Sequence, residues 1–384
     1  MALRGLKVIE LAGLAPAPFC GSILADFGAQ VTKVDKHIGN ADLDSLSNGK
    51  KSVALNLKHP QGVAIFKKMS EQSDVLIEPF RRGVMEKLGL GPDVLMKANP
   101  KLIYARLTGY GQNGPMADRA GHDINYLATS GLLSLLGRSS EPPTPPINLM
   151  ADFAGGGLMC AFGIVMALLE RKRTGLGQIV DASMVEGSAY VGSWLFRGQH
   201  LPIWGQPRGQ NMLDTGAHFY DTYQTKDGYY MAVGAIEPQF YAQLLQGLGL
   251  TEDLATQFPS SKEEAQKVRQ TIAKCFASKT RDEWKSIFDK SDACVTPVLT
   301  LQEAMDHPHN KERKSFIKGV DGSIVPCPAP QLSHSPGTSA ATQRRPQIGQ
   351  HTEEVLQALG YSETLISELQ KDGCIAISKK KSKL

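Results

Sequence analysis

Residues 6–35 read "LKVIELAGLAPAPFCGSILADFGAQVTKVD", and they decide the fold. "LKVIEL" (6–11) is a short apolar run suited to a buried strand. "PFCGSILADFG" (18–28) reads as a helix closing on Gly28, and "QVTKVD" (30–35) as a second strand. Strand, helix and strand in such close succession predict a parallel pair joined by a crossover helix. Asp35, at the end of the second strand, stands where dinucleotide folds place their ribose acid. The phosphate-binding glycines, however, are missing. The first turn is "AGLAPAP" (12–18), and Pro16 and Pro18 remove two N–H donors where a pyrophosphate would sit. A nicotinamide-dependent dehydrogenase is therefore poorly supported.

Working outward, "SDVLIEPF" (73–80), "KLIYARLTG" (101–109) and "GQIVDAS" (177–183) supply further strands, separated by amphipathic segments such as "PQGVAIFKKMSEQ" (60–72). Strands alternating with helices predict an α/β fold, a parallel sheet covered on both faces. From Asp152 the chain turns helical, and "ADFAGGGLMCAFGIVMALLERKRTG" (151–175) ends in basic residues that suit a helix C-terminus. Gly155, Gly156 and Gly157 each weaken a helix by roughly 1 kcal/mol, so close packing on another backbone or a ligand is expected of them. The texture then changes. "DTYQTKDGYYMAVGAI" (221–236) reads as a hairpin turning at Asp227-Gly228, and Thr280 with Glu283 forms a capping box. The expected organisation is a Rossmann-like large domain over 1–214, a small α+β domain over 215–320, and a segment 321–384 returning to the large domain. That last segment carries two terminal helices, "HTEEVLQALG" (351–360) and "SETLISELQ" (362–370), and a basic tail.

The 384 residues are 41% hydrophobic and 21% charged, the balance of a globular protein. No run of 18 apolar residues occurs, so no membrane insertion is expected. The amino terminus "MALRGLKVIELAG" reads as a first strand, not a secretory signal. Four of the 42 basic residues are Lys379, Lys380, Lys381 and Lys383, and without them the bases match the 38 acids. A body so evenly balanced argues against a nucleic-acid partner. Cysteines 20, 160, 275, 294, 327 and 374 show no CxxC or Cys/His spacing. Neither a metal site nor a disulfide framework is expected, and the thiols suit a reducing compartment.

"AGHDINYLATSG" (120–131) sets His122 and Asp123 at the start of a helix. Taken alone it is a polar cap, as Asp152 would be at its own helix start. Together with "NLMADFAGGGLMCA" (148–161), "TGLGQIVDASM" (174–184) and "VGAIEPQF" (233–240) it resembles the family III CoA-transferases, and more closely their racemase branch. "LADFGAQVTKVDK" (24–36), "EPFRRGVMEKLGLGP" (78–92), "LIYARLTGYGQNGP" (102–115) and "ACVTPVLT" (293–300) extend the resemblance over essentially the whole chain.

The resemblance implies a cofactor-independent racemase acting on 2-methylacyl-CoA thioesters, intermediates of branched-chain fatty acid and bile-acid oxidation. Its catalytic residues would be His122, Asp152 and Glu237, the last paired with the histidine. Inverting a carbon beside a thioester needs a base on each face of a planar enolate, and one proton shared by His and Asp serves both directions. Glu237 precedes Pro238, a good first helical residue. It could accept the other imidazole N–H and fix the tautomer. For CoA the resemblance implies Lys36, Leu55, Asn56, Leu57, Lys58, Arg81 and Lys87, and the run Gly121, His122, Asp123, Ile124, Asn125 and Tyr126. Lys36 stands where the family commonly has Arg, so a two-pronged phosphate contact is replaced by a point charge.

The family's architecture is an interlocked homodimer, each active site lying between the large domain of one subunit and the small domain of the other. The other reading is a family III CoA-transferase with Asp152 as the nucleophile. Such an enzyme typically also carries a glycine-rich loop where this chain reads "VGAIEPQF". Finally, Ser382-Lys383-Leu384 reads as a peroxisomal address recognised by an import receptor. A mitochondrial pool is left open.

Overall fold

Strand β1 (Lys7–Leu11) pairs in parallel with β2 (Gln30–Lys36), Val8 opposite Val31 and Leu11 opposite Val34. The helix Pro16–Asp26 makes the crossover, as the opening residues require. The computed structural model describes residues 1–36 and 44–378. β3 (Lys51–Leu55) extends the sheet beyond β2. β4 (Val75–Glu78), β5 (Ile103–Thr108) and β6 (Ile179–Ser183) extend it from the other side of β1, all in parallel. The order 3-2-1-4-5-6 is that of a doubly wound dinucleotide fold, with its switch point between β1 and β4. A two-residue strand at Ile375–Ala376 adds an antiparallel edge beside β3.

One face of this sheet is uniformly apolar. Ile9, Leu11, Val34, Val53, Leu76 and Tyr104 pack there against Ile65 and Phe66 of the helix Pro60–Glu71 and Leu356 and Ile366 of the terminal helices. The other face carries Glu10, Lys33, Asp35 and Ser52, all buried. Lys50 Nζ lies 2.8 and 3.0 Å from the two Glu10 oxygens and donates to Pro18 O at 2.9 Å. Ser52 Oγ donates to Asp35 at 2.6 Å, and Lys33 pairs with Asp35 and Asp44. Charges so deep are tolerated only when paired, and here each has its counterpart.

The chain divides into two compact units. The first comprises Met1–Leu132, Pro146–Gly192 and the chain from Pro308 onward; the second comprises Leu133–Pro145 and Ser193–His307. These divisions differ from the expected breaks after 214 and 320. Residues 193–214 are held inside the second unit by Met212, which packs on its core, and by Arg208, which donates to Arg138 O. Arg138 pairs with Asp221 at 2.8 Å and ties the Leu133–Pro145 segment to the same unit. The first unit also carries a small hairpin, Phe316–Lys318 with Ile324–Pro326.

In the second unit, strands Tyr220–Gln224, Tyr230–Gly234 and Val295–Pro297 form an antiparallel sheet. The hairpin turns at Gly228, whose φ of +82° suits glycine. Helices Pro238–Leu248, Lys262–Phe276 and Arg281–Phe288 cover the sheet with a core of Tyr223, Met231, Phe276, Trp284 and Phe288. The Thr280–Glu283 capping box is formed. His218 is buried with Nε2 2.9 Å from the Tyr241 hydroxyl, and burial pulls its pKa down to about 4, so it is a neutral core residue.

The helix through Asp152 runs unbroken over Leu149–Thr174, and its most apolar 18-residue window has a mean hydropathy of 1.8. By length and composition alone it is apolar enough to cross a bilayer, a test that a core helix also passes. Its setting is that of a helix packed on the sheet, and only 39% of the window is buried. Phe162, Val165, Met166 and Leu169 stand exposed on its outer side.

Candidate active site

His122 caps the helix Asp123–Thr129 in extended backbone, and its N–H donates to Asn125 Oδ1 at 3.1 Å. What fixes this turn is Tyr126. Its ring meets Tyr110 edge-on at 5.1 Å, and its hydroxyl donates to Gly121 O. A Cβ on Gly109 would come within 2.1 Å of that ring, and one on Gly121 within 2.6 Å. Both glycines are therefore required by the packing that presents the exposed His122 side chain. Burial, with Tyr110 and Asp152 nearby, pushes the Tyr126 phenol up to about 12.

The Asp152 helix begins as a π-helix, Leu149–Leu158, and continues as an α-helix from Met159. Stretches of π-helix recur at functional sites. The glycine triplet explains how this one is accommodated. A Cβ on Gly155 would lie 2.5 Å from Ser188 N, and one on Gly157 2.7 Å from Pro16 O. Reciprocally, a Cβ on Gly187 would strike Gly155 O at 1.8 Å. The Asp152 helix thus lies backbone to backbone against the helix Met184–Val191 and the start of the first helix.

Asp152 is not the cap of its helix; Asn148 occupies that position and makes no cap bond. The Asn148 amide donates instead to Asp152 Oδ2 at 3.2 Å. Capping comes from another helix. Asp123 Oδ2 accepts the N–H groups of Ala151 at 2.7 Å and Asp152 at 2.8 Å. The Asp152 carboxyl is half-buried and its pKa is raised, by burial first; Asn148 opposes the rise, the Asp123 charge adds to it, and His122 opposes it. Asn148 was not singled out in the sequence. Its spacing of four residues ahead of Asp152, neighbours on a helix face, was the available signal.

The residues considered for CoA follow the carboxyl ends of the strands, where doubly wound sheets bind ligands. Lys36 ends β2, Leu55 ends β3 and leads into Asn56, Leu57 and Lys58, and Arg81 and Lys87 follow β4. The run Gly121–Tyr126 follows β5. Lys36, Lys58, Arg81 and Lys87 are exposed cations, and Ile124 and Asn125 are exposed beside His122. Leu55 is in the core and offers a ligand only its backbone. Asn56 is engaged by the chain end, its N–H donating to Cys374 O at 2.8 Å. Asp123 and Tyr126 are likewise buried in internal contacts. Glu237 belongs to the second unit, where it stands at the N-cap of Pro238–Leu248.

The profile of CoA-transferase family III matches residues 3–352. The chain belongs to CoA-transferase family III. Within that family it is 55% identical over 385 aligned residues, the full length of both chains, to human alpha-methylacyl-CoA racemase. It is 36% identical to the succinyl-CoA–L-malate CoA-transferase beta subunit of Chloroflexus aurantiacus, with 96% of each chain covered. Among solved structures, a CaiB/BaiF family protein from Brucella suis superposes with a TM-score of 0.77 at 24% identity. That match covers 93% of this chain and 99% of the other, and it shows the family III fold.

Proposed function

We propose that this protein is a cofactor-independent racemase of 2-methylacyl-CoA thioesters, with His122 and Asp152 as its two proton carriers. The observation that carries the reading is the full-length 55% identity to a named racemase. The geometry supports it, since the starts of the His122 and Asp152 helices are joined through one carboxylate. One carrier takes the α-proton, leaving an enolate conjugated with the thioester carbonyl. The other returns a proton to the opposite face, so no redox or group transfer is involved. A half-buried Asp152 with a raised pKa holds a proton more readily than a free carboxylate. The N–H groups of Ala151 and Asp152 are taken by Asp123. The first N–H groups of the His122 helix, those of Asp123 and Ile124, are therefore the ones left to face the enolate oxygen.

Lys36, Lys58, Arg81 and Lys87 hold the CoA phosphates. A second copy of the chain covers the exposed apolar side of the Asp152 helix, and the homodimer brings Glu237 of one copy to His122 of the other. The address Ser382-Lys383-Leu384 lies outside the described residues; it sends the protein to the peroxisome through a receptor that reads the free carboxyl terminus.

A substrate with a β leaving group tests the assignment, because elimination needs only one proton abstraction. Removing His122 should spare elimination from the R substrate, and Asp152→Asn should spare the S substrate. If Asp152 is instead the nucleophile of a CoA-transferase, as the second reading has it, Asp152→Asn abolishes everything. His122→Ala then matters little, and hydroxylamine traps an acyl group on Asp152.

A further inference from the structure

Asp123 sits beside His122 in sequence, yet its side chain turns away from solvent and is only 3% exposed. Oδ2 accepts two N–H bonds at the first turn of the Asp152 helix, 2.7 and 2.8 Å long. Oδ1 has no partner among the described residues. No described Lys or Arg pairs with this carboxylate, although buried acids elsewhere in the first unit have one. Its compensation is the positive end of the Asp152 helix and the two N–H groups there. The cap that Asn148 fails to provide is therefore supplied across helices, by the residue adjoining the other proton carrier.

We propose that Asp123 is a positioning residue for proton transfer: one carboxylate clamps the start of the Asp152 helix to the start of the His122 helix and so fixes the separation of the two carriers. The proposal rests on the reading of His122 and Asp152 given above, and it replaces a CoA contact with a clamp. A clamp of this kind matters because misplacing a catalytic group by about 1 Å can cost on the order of 100-fold in rate. The clamp also carries charge toward Asp152. Of the charges around that carboxyl, Asp123 raises its pKa and His122 lowers it. Tyr126 of the His122 helix also feels the Asp152 charge. The other titratable groups on the elements packed around Asp152 are Asp26 of the first helix, Arg106 of β5, Asp181 of β6, Glu186 of Met184–Val191, and Glu170–Arg173 at the far end of its own helix.

The test uses the full-length enzyme with both enantiomers of a 2-methylacyl-CoA. Asp123→Asn keeps the shape and one acceptor but removes the charge; Asp123→Ala removes the clamp. We expect Asp123→Asn to lower kcat about tenfold and Asp123→Ala about 100-fold, with KM within roughly twofold in each. The acidic limb of kcat/KM in Asp123→Asn should move to lower pH, because a neighbouring negative charge has gone. Asp123→Asn alone decides the matter if the alanine variant does not fold. An unchanged kcat with an unmoved acidic limb in Asp123→Asn would overturn the clamp, as would a raised KM at unchanged kcat, the mark of a CoA contact. Asp152→Asn, measured alongside, separates the two failures. If it is inactive while Asp123→Asn is normal, only the clamp is lost; if it racemises at the parental rate, the site reading falls and the clamp with it.

Discussion

Glu10 and Asp152 are both carboxylates inside the first unit, and their surroundings are opposite. Glu10 is fully buried, and a dedicated cation, Lys50, touches both of its oxygens. Burial pushes its pKa up, and Lys50 works against that rise. Asp152 is only half-buried, and among the described residues no Lys or Arg pairs with it; it receives one amide bond from Asn148 and feels both the Asp123 carboxylate and His122. Glu10 carries its countercharge within the chain. Asp152 is left without such a partner among the described residues, as suits the proton carrier proposed for it, because the proton itself then supplies the neutralisation.

The largest effect that could break this comparison is at the site. Asp152→Asn and His122→Ala should each lower racemisation by roughly 10²–10⁴-fold, the worth of a positioned acid or base, while circular dichroism and melting temperature stay close to the parent. Lys50→Ala should do the reverse. Orphaning the buried Glu10 charge is expected to cost about 3–5 kcal/mol of stability. Chemical denaturation checks this, and a loss below about 1 kcal/mol would show that the pair is not what holds the first helix to the sheet.

Asn148→Ala sharpens the contrast from within the site. Losing a hydrogen bond to a partly buried carboxylate should reduce kcat/KM by about five- to tenfold. Because the Asn148 donor lowers the Asp152 pKa, its removal should move the acidic limb of the rate profile to higher pH, opposite to the shift expected of Asp123→Asn. Limbs that move the same way in both variants would contradict the assignment of charges around Asp152. The smallest effects belong to the exposed cations. Lys58→Ala and Arg81→Ala should raise KM by about two- to fivefold with kcat nearly unchanged, and high salt should mimic both. Unchanged KM for both, with free CoA failing to compete, would remove the proposed CoA cleft.

The parallel sheet was legible in the sequence because β1, β2, β4 and β5 are largely buried on both faces and read as strand-forming runs between helical segments, while β6 is a more exposed edge strand. β3, "KSVAL" (51–55), was not seen as a strand, since it leads directly into the polar "NLK". The two-residue strand at Ile375 exists only because an edge was open to it. Close packing by Gly155–Gly157 was legible, yet the π-helical start of the segment was not, because propensity carries no information on i→i+5 bonding. His122 at a helix start was also readable. Asp152 looked like a cap because the true cap, Asn148, is followed by three residues with no signal of their own, and the capping carboxylate comes from a residue far away in the chain. The unit boundary near 193 had no marker, since Arg138, Arg208 and Met212 act through contacts distant in sequence.

The central claim is that the α-carbon proton of a 2-methylacyl-CoA is removed and returned with no group transfer. Incubating either enantiomer of such a thioester with the enzyme in deuterated water tests it directly. The account predicts that α-deuterium enters both enantiomers as they interconvert, with the thioester intact and no second acid accepting CoA. Absence of α-exchange together with an acyl group trapped on Asp152 would contradict it.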